Sequence, residues 1–182
     1  GAFLSLYITQ HLVNHLMALV SPEFHILMMS YARLFYRNWI VEPLLWGAVL
    51  TQVYSGIRLT LKNKGKGDRW ARWQRYSGLY LAFFLLLHTS ATVYGRLGLG
   101  ADTNFWYGAA VVQTKPHVYF FAPYYTLAIL AYGLHMVLLW HRLSLITSKK
   151  ITLSQLGVIQ QRTWIAIGLV LLITIGIMWG VM

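Results

Sequence analysis

The sequence predicts an all-α fold, a single domain over residues 1–182 in which five transmembrane helices form a bundle. Apolar residues make up 58% of the 182 residues and charged residues only 10%, whereas a soluble domain carries about 25% charged residues. Five apolar runs approach the length needed to cross a bilayer. Most of the basic residues lie in the connections on one side of the membrane that these runs would cross. An integral membrane protein is therefore predicted, and a soluble basic domain is disfavoured.

The five predicted spans occupy residues 1–20, 39–61, 74–96, 119–143 and 164–182. The first has no upstream flank, so we expect the natural chain to begin earlier. A cleaved signal peptide is not expected, because this span carries His11, Asn14 and His15 and lacks a basic leading segment.

The connections between the spans also follow from residue type. Apolar residues recur at helical spacing within residues 21–38, which predicts a short interfacial helix on the outer side. Glycines within residues 63–68 predict a tight inner turn, and residues 95–115 predict an outer loop.

The net charge of +11 raises the question of a nucleic-acid partner, but the distribution of charge predicts membrane topology instead. Seven Lys or Arg residues lie within residues 58–75 and four within residues 142–162, which leaves four for the opposite side. The positive-inside rule places the basic side in the cytoplasm, with the N terminus inside and the C terminus outside. This basic face could meet lipid headgroups or a soluble subunit.

Two histidines recur in the same context within the apolar runs. The segment G-A-F-L-S-L-Y-I-T-Q-H opens the chain, and G-L-Y-L-A-F-F-L-L-L-H covers residues 78–88. Ten helical residues rise about 15 Å, half the hydrocarbon thickness, so His11 and His88 are predicted to lie at matched depth. Ionisable residues at that depth are costly and indicate function. We interpret the pair as the two axial ligands of one haem, and helix packing is the alternative.

Further residues extend this hypothesis on the outer side. His15 lies one helical turn beyond His11 and is an alternative ligand. It is also a candidate contact for haem propionates, together with Arg96, Tyr94 and Arg33. The chain has no cysteine, which excludes iron–sulfur ligation and covalent c-type haem attachment.

A second polar layer is predicted nearer the inner side. Gln52 and His135 each precede an arginine by six or seven residues, so spans one and two look like a degenerate copy of spans three and four. The layer could be a quinone pocket, a five-coordinate haem site or a hydrogen-bonded pair. At the inner interface, Trp73, Arg75, Ser77 and His141 could donate hydrogen bonds to a quinone.

The other titratable residues have simpler expected roles. His141 is expected at the inner interface as a surface group, and His25 and His117 are expected in solvated outer segments. Glu42 could carry protons on the outer side or simply begin a helix, where the macrodipole favours a carboxylate.

The chain resembles the type-B cytochrome b anchor of succinate:quinone oxidoreductases, the family of succinate dehydrogenase and fumarate reductase. The segment Q-H-L-V-N-H at residues 10–15 is similar to the haem motif of the family's first helix. The segment W-Q-R-Y-S-G at residues 73–78, followed by His88, is similar to that of its third helix. His135 falls where the family has its helix-four ligand, and Gln52 replaces the helix-two histidine.

The resemblance implies cofactors and partners as well as a fold. The family binds two haems b, and here His11 and His88 would keep the outer one while the inner pair lacks a ligand, so one haem b is expected. A flavoprotein and an iron–sulfur subunit would dock on the basic inner face, and quinone would be the substrate. The implied location is the bacterial cytoplasmic membrane.

Two other functions remain open at this point. One is a haem-free membrane scaffold for a partner complex. The other is a transmembrane haem reductase resembling the cytochrome b561 group, which needs two bis-histidine pairs and is disfavoured by Gln52.

Overall fold

The computed structural model describes residues 1–147 and 152–182, and all regular structure in these ranges is helical. Lys149 and Lys150, two of the basic residues assigned to the inner side, lie outside the described residues. A 3-10 turn extends α1, and a π-helical turn extends α4. In chain order the elements are α1 (Ala2–Leu16), the 3-10 turn (Met17–Leu19), α2 (Pro22–Tyr36), α3 (Val41–Lys62), α4 (Arg69–Val93), the π turn (Tyr94–Gly98), α5 (Phe105–Gln113), α6 (Val118–Thr147) and α7 (Leu153–Val181).

Three stretches in the described part of the chain are long and apolar enough to cross a membrane. They are α4 with its π turn, α6 and α7. Helices α2 and α3 are long and apolar enough to cross a membrane only when they are taken together as one span, and this span is bent by 88° at the break between them. The 15 residues of α1 are too few by themselves. The structure is therefore that of an all-helical membrane protein with three or four candidate spans, and the predicted bundle of five spans is not confirmed.

Side-chain caps explain where several helices begin. The Asp68 carboxylate accepts a hydrogen bond from the Ala71 backbone N–H at 2.9 Å and starts α4 directly after the inner turn. The Ser21 hydroxyl accepts from Phe24 N–H at 3.1 Å at the start of α2, where a helix was predicted. Each cap satisfies a backbone donor that the first helical turn leaves free.

The outer segment 95–115 differs from its prediction as a loop. Residues 105–113 form α5, because Asn104 caps a nine-residue run that is mostly apolar, and its side chain accepts from Trp106 N–H at 2.9 Å. The buried face of α5 includes Phe105 and Ala109, which pack against Ala18 in the 3-10 turn. Burial of this face stabilises a short helix that local propensity alone would leave marginal.

The long helices α4, α6 and α7 pack side by side and form the body of the fold. Helix α6 approaches α7 closely at Gly133, where a Cβ atom would overlap the side chain of Val170. Small residues permit such close helix contacts in membrane proteins. The other helices are arranged around this body, and α1 packs against both α3 and α7.

A polar contact joins α6 to α7 at the inner end. His141 is 3% exposed, its Nδ1 atom lies 2.8 Å from Thr163 Oγ1, and its ring lies against Trp70 with a centroid separation of 5.0 Å. Trp70 in turn packs edge-on against Trp164. The expectation that His141 is a surface group was wrong, because three helices converge on this position and cover the ring.

We predict that Gly133→Ala destabilises the protein, since the added methyl group overlaps Val170. Overpacking of this kind costs about 1–3 kcal/mol. Thermal unfolding of the purified protein in detergent should show a lower Tm. Gly168→Ala on α7 is the matched control, because a Cβ there meets nothing within 4 Å. Equal Tm values for the two variants would contradict the packing described here.

Candidate functional site

A cavity that is partly open to the surroundings is lined by residues from every helix, α1 to α7, at the end of the bundle predicted to be the outer one. Its volume is about 290 Å³, close to the lower end of the range for small-molecule sites. Most of its wall is apolar, as cofactor sites generally are. The ionisable groups in the wall include His11, His15, Arg37, Glu42, His88 and Arg96.

His11 from α1 and His88 from α4 face this cavity with their ring centroids 6.3 Å apart and their planes at 56°. A metal–imidazole nitrogen bond measures about 2 Å and the ring centre lies about 1 Å further back, so two axial imidazoles on one metal have centres roughly 6 Å apart. Imidazole planes that share one axis accept any mutual rotation. The separation of the two ring centroids is therefore close to that of two imidazoles on one metal, while the Nε2 atom of His11 lies 3.3 Å from that of His15.

An aromatic ring one turn earlier on each helix supports each of these histidines. Tyr7 stacks on His11 with the planes at 15°, and Phe84 stacks on His88 with the planes at 11°. Tyr125 from α6 adds an edge contact to His88 at 6.0 Å. Both aromatic residues lie at the same position of the repeated segment, six residues after its glycine. The repeated glycine–aromatic–histidine spacing is visible in the sequence and would have identified Tyr7 and Phe84 as the supports of the two histidines.

His15 is the third imidazole in the cavity wall. Its Nε2 atom lies 3.3 Å from His11 Nε2, and the two rings meet edge-on with centroids 4.7 Å apart. Its Nδ1 atom is buried and has no hydrogen-bond partner. A buried polar atom without a partner at a cavity wall indicates a missing ligand or water, since such atoms are rare in native proteins. His15 therefore stays a candidate contact for whatever fills the cavity.

Arg96, another candidate for propionate binding, is already engaged. Its Nη2 atom forms an ion pair with Glu42 Oε1, and both side chains line the cavity. Glu42 lies in the first turn of α3, as expected for a carboxylate that begins a helix. The positive charge of Arg96 is thus largely balanced inside the protein.

In the predicted inner polar layer, His135 of α6 is hydrogen-bonded to α4. Its Nδ1 atom lies 3.1 Å from the Gln74 carbonyl oxygen and 3.2 Å from Ser77 Oγ, both on α4. A Cβ at Gly78 would approach His135 Cε1 to 3.1 Å, so this glycine makes room for the ring. Gln52 lies beside Gly1 instead, and its Oε1 atom would be 3.8 Å from a Cβ added there.

The other inner candidates lie near His135 but do not converge on one point. Trp73 packs against Trp70 and Trp164, and it remains 40% exposed. The guanidinium of Arg75 lies beside Gly67 in the inner turn. These contacts place Trp73 and Arg75 at the inner surface, next to the hydrogen-bonded pair of Ser77 and His135.

Two outer histidines differ in their surroundings. His117 is exposed, as expected. His25 is only 2% exposed, so the expectation of a solvated side chain was wrong. The ring of His25 is covered by Phe105 of α5 at 5.2 Å and lies 5.1 Å from the ring of His15. The helix that covers it was not predicted, which explains the error.

No group of three or more His, Cys, Asp or Glu residues that could hold a bare metal ion occurs in residues 1–147 and 152–182. A haem iron needs only two protein ligands, because the porphyrin supplies the other four. No family model, no curated protein and no solved structure matches this chain. The functional hypothesis therefore depends on the residues of the cavity.

Proposed function

We propose that this chain is the haem b membrane anchor of a succinate:quinone oxidoreductase, a succinate dehydrogenase or fumarate reductase complex. The observation that carries the proposal is the pair of imidazoles, His11 and His88, placed 6.3 Å apart across an apolar cavity. The second support is the resemblance of residues 10–15 and 73–88 to the family's haem motifs. A haem b held there supplies reversible one-electron transfer between the iron–sulfur subunit and quinone.

The protein's own contribution is to hold and orient the cofactor. His11 and His88 would hold the haem iron, and Tyr7 and Phe84 restrict the rotation of the two rings by stacking on them. The apolar wall excludes water, which keeps the environment of low polarity. His15 and Arg96 line the same cavity and are the contacts proposed for the propionates.

The finer topology is part of the proposal. Helix α1 and its 3-10 turn together cover residues 2–19, a length of about 28 Å by helix rise, which is close to the hydrocarbon thickness. Helix α3 has 22 residues, or about 33 Å. With these two, the bundle would have five spans, with the N terminus on the basic cytoplasmic side of a bacterial membrane and the C terminus outside.

For quinone we propose the inner interface at Trp73, Arg75, Ser77 and His135. The Nδ1 atom of His135 lies 3.1 Å from the Gln74 carbonyl, which can only accept, so Nδ1 carries the proton. Its Nε2 atom then has a lone pair that can accept a proton from a quinol hydroxyl. Arg75 and Trp73 belong to the same end of α4 as Ser77 and are the proposed hydrogen-bond donors to a quinone carbonyl.

A haem-free scaffold is the second candidate, and one contact favours it. Because His15 Nε2 lies 3.3 Å from His11 Nε2, His11 can find a hydrogen-bond partner without iron. A pyridine haemochromogen assay on the purified protein separates the possibilities. One haem per chain supports the anchor, none supports the scaffold, and two would support a reductase like the cytochrome b561 group.

We predict that His88→Ala abolishes the b-type absorption spectrum, because the iron loses one of its two axial nitrogens. His135→Ala is the matched control and should keep the spectrum, since this imidazole is hydrogen-bonded to α4 at the inner layer. The measurement is the reduced-minus-oxidised difference spectrum at equal protein concentration. An unchanged spectrum in His88→Ala would remove the ligand assignment.

We predict that Phe84→Ala weakens haem binding while Phe83→Ala does not. Phe84 stacks on His88 at 5.0 Å, and loss of an aromatic contact costs about 0.5–1.5 kcal/mol, or up to roughly tenfold in affinity. Phe83 is its sequence neighbour and is 51% exposed. The affinity is measured by haem titration of the apoprotein. A loss of affinity that is the same in both variants would argue against a supporting role for Phe84.

The basic inner face is the docking surface proposed for the iron–sulfur and flavin-bearing subunits. Lys64 and Lys66 are exposed in the turn before α4. Their combined reversal, Lys64→Glu with Lys66→Glu, should reduce co-purification of a flavin-bearing subunit, and the wild-type association should weaken as salt is raised. Lys115→Glu on the opposite side is the control and should leave the yield unchanged. Docking at this turn would be contradicted if the double variant retained as much of the flavin-bearing subunit as the wild type and Lys115→Glu do.

A further inference from the structure

The buried polar side-chain atoms that lack a hydrogen-bond partner in the described residues belong to four residues of α1 and α2. They are Asn14 Oδ1, His15 Nδ1, His25 Nδ1, Arg33 Nε and Arg33 Nη2. A buried polar group without a partner is destabilising, and native proteins contain few of them. The donors among these atoms therefore indicate a ligand that can accept their hydrogen bonds.

The proton positions among these residues follow from one hydrogen bond within the group. Asn14 Nδ2 lies 3.1 Å from His25 Nε2, and an amide nitrogen can only donate. His25 Nε2 is therefore the acceptor, and the neutral ring carries its proton on Nδ1. This Nδ1–H group is a donor that is buried and unpaired, on a side chain only 2% exposed. The Oδ1 atom of Asn14, which is 6% exposed, is the free acceptor beside it.

Arg33 presents the strongest binding element of the group. Its Nη1 atom donates to Asp102 Oδ1 at 2.9 Å, which engages one side of the guanidinium. The Nε and Nη2 atoms form the other edge, and both are buried and unpaired. Two parallel N–H groups on one edge match the two oxygens of a carboxylate.

Arg33 and His25 belong to the same face of α2. They are two helical turns apart, with Met29 between them, and a long helical side chain leans toward the N terminus of its helix. This direction would bring the guanidinium of Arg33 back toward His25, and the charge of Arg33 does act on the His25 ring. The group thus combines three donors with one acceptor.

We propose that His25 and Arg33 form a carboxylate-binding site beside the outer end of the cavity, with Asn14 holding the His25 proton on Nδ1 through its hydrogen bond to Nε2. A carboxylate has two oxygens with about four lone-pair positions, enough to accept both N–H groups of Arg33 and the Nδ1–H of His25. The site adjoins the cavity through His15, which lines the cavity and whose ring lies 5.1 Å from that of His25. Both arginines pair with a carboxylate, Arg33 with Asp102 and Arg96 with Glu42. Of the two, it is Arg33 that keeps buried N–H groups without a partner in the described part of the chain.

The carboxylate has two possible sources. It is the propionate of a haem in the cavity, in which case the inference rests on the proposed function, or it is a small free carboxylate that enters from the outer face. Both present the same group to Arg33. The first source makes Arg33 the principal propionate contact among the candidates chosen from the sequence.

The first arm of the test compares haem b with its dimethyl ester, in which both propionates are neutral. Purified wild-type chain should bind the free acid at least about tenfold more tightly than the ester, as titrated by the Soret absorbance. Arg33→Lys keeps the charge but removes the bidentate edge, so it should lose most of this preference. Asp102→Asn is the control, because it removes the ion pair and leaves that edge intact, and it should keep the preference.

The second arm uses the haem-free chain with sodium acetate against sodium chloride at equal ionic strength. If the source is a free carboxylate, acetate should raise the Tm of the wild type and of Asp102→Asn but not that of Arg33→Lys. The site is overturned if neither arm shows a carboxylate preference, or if Arg33→Lys retains it. Failure of haem and ester alike to bind the wild type would reject the proposed function alone, and the acetate arm would then decide the site.

Discussion

The constraint on which this structure depends is that polar side chains inside an apolar helix bundle must find their partners within the protein. Lipid offers no hydrogen bonds, so each buried imidazole needs a neighbouring side chain, a backbone group or a ligand. At one end of the bundle the imidazoles are hydrogen-bonded within the protein, whereas at the other end several buried polar atoms lack a partner in the described residues.

At the inner end, the imidazoles have hydrogen-bond partners within the protein. His135 is hydrogen-bonded to Ser77 and the Gln74 carbonyl, and His141 is hydrogen-bonded to Thr163 and packs against Trp70. These contacts join α4, α6 and α7 and give the bundle a stable base. At the other end, His11, His15 and His88 line a mostly apolar cavity, and the buried side-chain atoms without a partner in the described residues belong to residues in or near its wall. A ligand in this cavity would gain apolar contacts and hydrogen bonds together.

The internal repeat explains the geometry of the cavity. In each copy a glycine is followed by an aromatic residue after six positions and by a histidine after ten. The aromatic ring stacks on the histidine one turn later in both α1 and α4, so the two imidazoles face each other from equivalent positions. The second half of the repeat has diverged, since Gln52 on α3 lies beside Gly1 while His135 on α6 packs against α4. The pair of helices α1 and α4 therefore carries the symmetric site.

The sequence by itself determined the membrane class, most helix positions and the pairing of His11 with His88, because composition and helical period act along the chain and need no knowledge of neighbours. It did not reveal the 88° bend between α2 and α3 or the helix after Asn104, since both depend on packing against distant residues. The burial of His25 and His141 was likewise decided by the tertiary structure. Helices remote in sequence cover these two rings, and burial is a property of the assembled surfaces rather than of any local segment.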